Sequence, residues 1–181
     1  MENSAPIELI ELLRDIERRS RANAAGIPKQ QDEQTFWEGI LCRIAGANVV
    51  VPLNEVKEIL NFTPTITLVP GTKNWMLGVA NIRGNLLPII DLQQFLGGKP
   101  ILIGRRTRVL VSNHGEVFAG LLVENVLGMR HFPEDQDVDA PAVTGLMREY
   151  IQGGCMVDGE HWPVFRIGRL AESPGFQMAA A

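Results

Sequence analysis

Catalysis needs side chains that converge, and this sequence supplies few that could. The histidines, His114, His131 and His161, fall in or beside turn-forming residues, and none has a partner at i,i+4, the spacing with which a helix face holds a metal ion. Cys42 and Cys155 lie inside apolar runs without Cys-x-x-Cys spacing. They read as buried thiols in a reducing compartment, because a catalytic thiol wants an exposed, electropositive setting. Gly97-Gly98-Lys99-Pro100 lacks the spacing of a phosphate-cradling loop and the Ser or Thr that should follow its Lys. Asp91 is followed by Leu92 and Gln93, where an aspartic-protease loop needs Thr or Ser and then Gly. Its carboxylate reads instead as the cap of a short helical run, DLQQFLG, closed by Gly97. No cofactor and no metal site is expected. What remains is Arg83, a guanidinium at the tip of an apolar hairpin, and its planar fork of donors suits recognition.

The element that presents Arg83 is GVANIRGNLLPIIDL, residues 78–92. Two apolar runs flank Gly84-Asn85, a dipeptide suited to a two-residue turn, so the stretch predicts a β-hairpin. Its arms are apolar on both faces, as in a strand pair buried within a barrel or sandwich. Pro88 has no N–H for a ladder and predicts an edge or bulged position.

The elements around it are short strands separated by turn residues. Ile40–Ile44, Ala45-Gly46-Ala47-Asn48 and Val49–Leu53 read as strand, turn and strand; residues 54–60 leave as a strand continuation or short turn, and Thr65–Val69 reads as a further strand. Sliding the sequence by 70 lays a second hairpin, Arg108–Ser112, Asn113-His114-Gly115 and Val117–Val123, on the first, with Val126 on Val56 and Leu121 on Val51. A shift of 75 lays Gly153, Gly159 and Pro163 on Gly78, Gly84 and Pro88. The expected fold is therefore mainly β: two similar small barrels in tandem, each too small to be comfortable alone and packed on its neighbour. Residues 131–142, acidic and proline-containing, read as a surface loop.

The N-terminal segment, up to Gly26, differs in texture. Leu9, Leu12, Leu13 and Ile16 recur three and four apart, which predicts an amphipathic helix over 5–26 that packs on its own domain or docks on a partner. Residues 27–35 read as a linker, 36–172 as the body and 173–181 as a tail. Against 17 Lys and Arg stand 21 Asp and Glu, a net charge of −4 with few aromatics, which argues against a phosphate-neutralising nucleic-acid surface. No secretory leader is evident at the acidic start, and no run approaches the ~18 apolar residues of a membrane span, so a cytoplasmic protein without direct membrane insertion is expected.

With those residues in view, VPLNEVKEIL, LVPGTKNWMLGVANIRGNLLPIIDL, GLLVENVLGM and EYIQGG together resemble the CheW-like coupling proteins of bacterial chemosensory arrays, and within them the PilI-type adaptors of the type IV pilus, or twitching, system. The resemblance spans about residues 36–172. It implies two SH3-like five-stranded β-barrels side by side, no catalysis, and two partners: the cytoplasmic tip of a methyl-accepting chemoreceptor and the regulatory domain of a CheA-type histidine kinase. Self-association in arrays is left open. The family's contact positions fall on Val56, Glu58, Gly78, Asn81 and Arg83, with Glu58 and Arg83 facing each other. Trp162-Pro163-Val164-Phe165-Arg166 departs from the usual apolar ending in Asp or Asn. Two other classes stand as alternatives, a small barrel enzyme using a cysteine with a histidine, and a barrel for single-stranded nucleic acid.

Overall fold

A computed structural model of the chain describes residue 19 and residues 35–62, 65–114, 117–134 and 138–178, with 114 and 117 in backbone only. The helix expected over 5–26 lies outside these residues except at Arg19, and the linker except at Thr35. The chain divides into two units, Met1–Gln34 and Thr35–Ala181. Every element named below belongs to the second.

Among the described residues two five-stranded sheets carry the fold. The first joins β1 (Phe36–Ile44), β2 (Ala47–Pro52), β8 (Asn125–Pro133), β9 (Ile151–Val157) and β10 (Glu160–Phe165) in the order β8-β1-β2-β10-β9. The second joins β3 (Glu58–Asn61), β4 (Met76–Ile82), β5 (Asn85–Asp91), β6 (Arg108–His114) and β7 (Val117–Val123) in the order β3-β6-β7-β5-β4. The expected mainly β pair of five-stranded units is present, but the units are interlaced along the chain. β1 and β2 lie in one sheet, the chain crosses to the other for β3 to β7, and it returns for β8 to β10.

Strand register shows how faithful the internal repeat is. Ile40 pairs with Val51 and, at the shift of 70, Leu110 pairs with Leu121. Val79 pairs with Pro88 and, at the shift of 75, Gly154 pairs with Pro163. The third strand of each half crosses over: Ile59 opposes Leu110, and Met129 opposes Ile40.

Those crossings explain why the central strands are apolar on both faces. Ile40, Cys42, Ile44, Val49 and Val51 of the first sheet meet Ile90, Leu110, Leu121 and Val123 of the second in one core. The residues between them point the other way, Leu41 and Val50 into the interior of the first sheet, Val109, Val111 and Leu122 into that of the second. Each fully buried aliphatic side chain contributes about 1.5–3 kcal/mol, so the shared core ties together two halves that are small by themselves.

Several local expectations change. The central turn is Arg83-Gly84, since Ile82 pairs with Asn85; Ala45-Gly46 alone makes the first turn. Pro88 lies on an interior strand. Val79 turns its N–H and C=O to Thr67, so the missing donor faces no ladder bond there, and the pairing of β5 with β7 begins only at Ile89. Thr65–Val69 supplies a single bridge, Thr67 to Val79, and no strand. Asp91 caps α1 (Leu92–Phe95) as expected, its Oδ1 accepting the Gln94 N–H at 3.0 Å. The expected tail contains α3 (Pro174–Gln177), which follows α2 (Ile167–Glu172). Its Phe176 is buried, stacked on Trp75 at 6.0 Å and edge-on to Phe95 at 5.3 Å.

Candidate functional site

The β4–β5 tip is built by its own sequence. Arg83 has φ +53° and Gly84 φ +85°, the left-handed pair a tight hairpin turn demands, and glycine supplies the second without strain. Arg83 meets a steric cost there of roughly 1–2 kcal/mol. Asn81 helps hold the turn by accepting the Gly84 N–H on its Oδ1 at 2.9 Å. The Arg83 side chain is 76% exposed, and its Nη2 lies 2.5 Å from Oε1 of Glu58, on the strand at the far edge of the same sheet. An ion pair so exposed is worth at most about 1 kcal/mol, so it orients the guanidinium more than it stabilises the fold. Leu86, opposite Asn81, leaves 67% of its surface to solvent. Lys57 stands 5.9 Å from the Phe118 ring on the same barrel.

Of the five positions named from sequence, the structure gathers Glu58, Asn81 and Arg83 on this surface. Val56 is buried in the core between the sheets, and Gly78 is buried in the β4 bulge. At Gly78 φ is +136° and an added Cβ would meet the Thr67 carbonyl, so glycine there permits the close approach of the 65–69 segment. These two residues support the surface without forming it.

Sequence reading missed the counterpart of this clasp in the other sheet. Asp158-Gly159 turns β9 into β10 with φ +51° and +85°. The Arg130 guanidinium donates to both Asp158 oxygens, at 2.7 and 2.8 Å. Those bonds and the carboxylate charge push the Arg130 pKa up. In each sheet, then, the hairpin tip grips a strand, with the signs exchanged. The shift of 75 that lays Asp158 on Arg83 is the signal that could have found it. Met129 and Met156 are exposed neighbours in sequence of this second clasp.

Glu55 was also missed. Asp91 and Arg166 are equivalent positions, the Asp91 N–H donating to the Trp75 carbonyl and the Arg166 N–H to that of Tyr150. Asp91 caps the helix that follows it, whereas Arg166 precedes α2 and carries no acceptor. Glu55, buried in the connection from β2 to β3, fills that role: its Oε2 accepts the Gly168 N–H at 3.1 Å. Arg166 Nε lies 2.6 Å from Oε1, off the line of a hydrogen bond, so charge alone holds that oxygen. The Ser112 hydroxyl donates to the Glu55 carbonyl at 2.9 Å. The departure at Arg166 is thus answered within the fold, and the segment leading to Glu58 is fastened.

The groups weighed for catalysis are scattered. Cys42 lies in the core between the sheets and Cys155 inside the first sheet; burial pushes their thiols up to about 12 and about 11, so neither is a thiolate near neutral pH. His131 pairs with Glu38 at 2.9 Å and His161 is exposed. Among the described residues no three His, Cys, Asp or Glu side chains are arranged to hold a metal ion, and no helix is long and apolar enough to cross a membrane.

Comparison with known proteins gives a consistent picture. The family model for the CheW-like domain matches residues 38–175. The chain is 43% identical to Protein PilI of Pseudomonas aeruginosa over 92% of its own length and 93% of that protein. It is 32% identical to Protein FrzA of Myxococcus xanthus, over 70% of this chain and 77% of that one. The crystal structure of the scaffolding protein TtCheW from Thermoanaerobacter tengcongensis superposes with a TM-score of 0.68 at 22% identity, covering 81% of this chain and all of that one, a likeness of fold.

Proposed function

The chain belongs to the CheW-like family, and on that premise we propose that it is a non-catalytic adaptor coupling a methyl-accepting chemoreceptor to a CheA-type histidine kinase in the chemosensory control of type IV pilus twitching. The observation that carries this reading is the similarity to the Pseudomonas aeruginosa protein along nearly the whole chain. Receptor tip and kinase regulatory domain are held by separate faces of the double barrel. Arg83, Glu58 and Asn81 form one of them: an oriented guanidinium on a rigid tip loses little freedom on docking, and a planar fork reads a partner carboxylate or carbonyl in a fixed direction. Val56 and Gly78 serve that face from beneath. The protein works in the cytoplasm, recruited to membrane-associated arrays in which many weak contacts add up.

Co-purification of the full chain with its cognate CheA-type kinase tests the proposal. Wild type is expected to retain the kinase and Arg83→Glu to lose it. A chain that captures neither kinase nor receptor fragment under conditions where both are folded overturns the reading.

A further inference from the structure

Asp158-Gly159 is the only Asp-Gly dipeptide of the sequence, and no Asn-Gly occurs in it. In such a pair the side-chain carboxyl can close a five-membered ring onto the following peptide nitrogen, and a glycine puts no Cβ in the way. The β9–β10 tip leaves this pair open. The Asp158 side chain is 71% exposed, and a Cβ built on Gly159 would meet nothing within 4 Å. Val157 pairs with Glu160 across the turn, so the Gly159 N–H stands outside the ladder.

One contact opposes ring closure. The Arg130 guanidinium donates to both Asp158 oxygens, at 2.7 and 2.8 Å, and so ties the carboxylate to β8. A charge-assisted fork of two bonds fixes the direction of the group, and closure requires at least one of them to break. Among the described residues Arg130 is the only ion-pair partner of Asp158. The equivalent tip in the other sheet is Arg83-Gly84, which has no carboxyl to cyclise. The chemistry therefore belongs to one of the two duplicated tips.

We infer that Asp158 is a site of spontaneous isoaspartate formation and that Arg130 restrains it. The Gly159 nitrogen attacks Asp158 Cγ: the N–Cγ bond forms and one Cγ–O bond breaks. That oxygen leaves as water, carrying the amide proton and one proton taken up from solvent. Water then opens the resulting succinimide. Hydrolysis at Cγ returns aspartate, whereas hydrolysis at the former peptide carbonyl routes the chain through Cβ and leaves a carboxylate directly on Cα. Nothing is oxidised or reduced, and the chain keeps its mass. The product carries one extra methylene in the backbone of the tip, and its shortened carboxylate no longer meets Arg130, so the clasp opens. An exposed isoaspartyl carboxylate is the substrate of carboxyl methyltransferases that return it to the succinimide. The inference does not depend on the identity of the kinase or receptor.

Ageing of the full chain for weeks at physiological temperature and neutral pH tests this, with isoaspartate at position 158 measured by peptide mapping and electron-transfer fragmentation. Arg130→Gln is expected to accumulate it about fivefold faster than wild type, the rate equivalent of losing an exposed ion pair. Arg130→Lys, which keeps the charge and loses the fork, is expected to fall between the two. Asp158→Glu is expected to form none, since its closure needs a six-membered ring. A synthetic peptide spanning residues 154–163 has neither the fixed turn nor the guanidinium, and its rate is expected to exceed that of folded wild type about tenfold or more. Gly78→Ala, which loosens the other sheet and leaves Arg130 in place, is expected to age like wild type, and so separates loss of the clasp from general loss of stability. A wild type that ages as fast as the peptide, an Arg130→Gln chain that ages no faster than wild type, or a Gly78→Ala chain that ages as fast as Arg130→Gln overturns the inference.

Discussion

Arg83 and Asp158 occupy the same place in the two halves of the molecule. Each opens a two-residue hairpin turn in the left-handed region, at φ +53° and +51°, each precedes a glycine at φ +85°, and each grips a strand of its own sheet through a counter-charge. One tip is a cation held by Glu58, the other an anion held by Arg130. The duplicated scaffold therefore presents two similar projections of opposite sign.

Reversing the charge at the first tip should separate binding from folding. For Arg83→Glu, urea unfolding is expected to shift by less than about 1 kcal/mol, since the pair is exposed, while kinase affinity measured by calorimetry falls about tenfold or more. The double reversal with Glu58→Arg restores the clasp and leaves binding impaired, because the partner meets the wrong sign.

Val56→Glu should behave in the opposite way. The valine lies in the core between the sheets, and a carboxylate there has no partner, so a loss of roughly 3 kcal/mol or more is expected in the unfolding free energy. Any loss of kinase binding should then track the unfolded fraction and vanish once folded protein is compared.

At Gly78, substitution by Ala brings a Cβ onto the Thr67 carbonyl at a backbone angle that side chains rarely adopt. The expected result is a destabilisation of about 2 kcal/mol and faster amide exchange at Thr67 and Val79, whose reciprocal bonds would open first.

The Glu55–Arg166 pair invites a double-mutant cycle. Arg166→Gln leaves a buried carboxylate with only the Gly168 N–H and should cost roughly 2 kcal/mol, less than the 3–5 of a fully buried pair because the arginine is partly exposed. Adding Glu55→Gln removes the stranded charge and should recover part of that loss; a purely additive cycle would contradict the coupling.

Cys42 gives a pH signature. Its thiol is pushed from an ordinary value of 9.0 up to about 12 by burial, so above pH 9 the unfolded chain releases a proton that the folded chain keeps. Stability from this site is complete below pH 9 and declines as pH rises toward 12, by up to about 1.4 kcal/mol per pH unit. The difference between wild type and Cys42→Val across that range isolates the effect.

Much of this architecture could be read in the chain itself. Turn glycines and a proline at the offset of 75, and a repeated strand-turn-strand pattern at the offset of 70, announced the duplication, because a hairpin needs φ > 0 where its tip turns and that demand leaves a mark in residue type. Asp91 declared its capping role for the same kind of local reason. The placement of Arg83 on an exposed tip followed from one charge between two apolar arms.

What depends on distant partners left no such mark. Whether Val56 faces water or core, and which sheet Glu58 or Arg130 belongs to, are decided by β3 and β8 crossing into the opposite half; whether Pro88 sits on an edge or an interior strand is decided by the parallel pairing of β5 with β7. Periodicity records that a strand is apolar on both faces, but it does not say which other strand covers each of them. Glu55 reaching α2 and Asp158 meeting Arg130 are contacts between segments 113 and 28 residues apart, made only when the fold brings those segments together. Local backbone chemistry thus determined the turns, the caps and the repeat; the allocation of strands, and with it which side chains became a surface, was decided by the burial that tertiary packing alone provides.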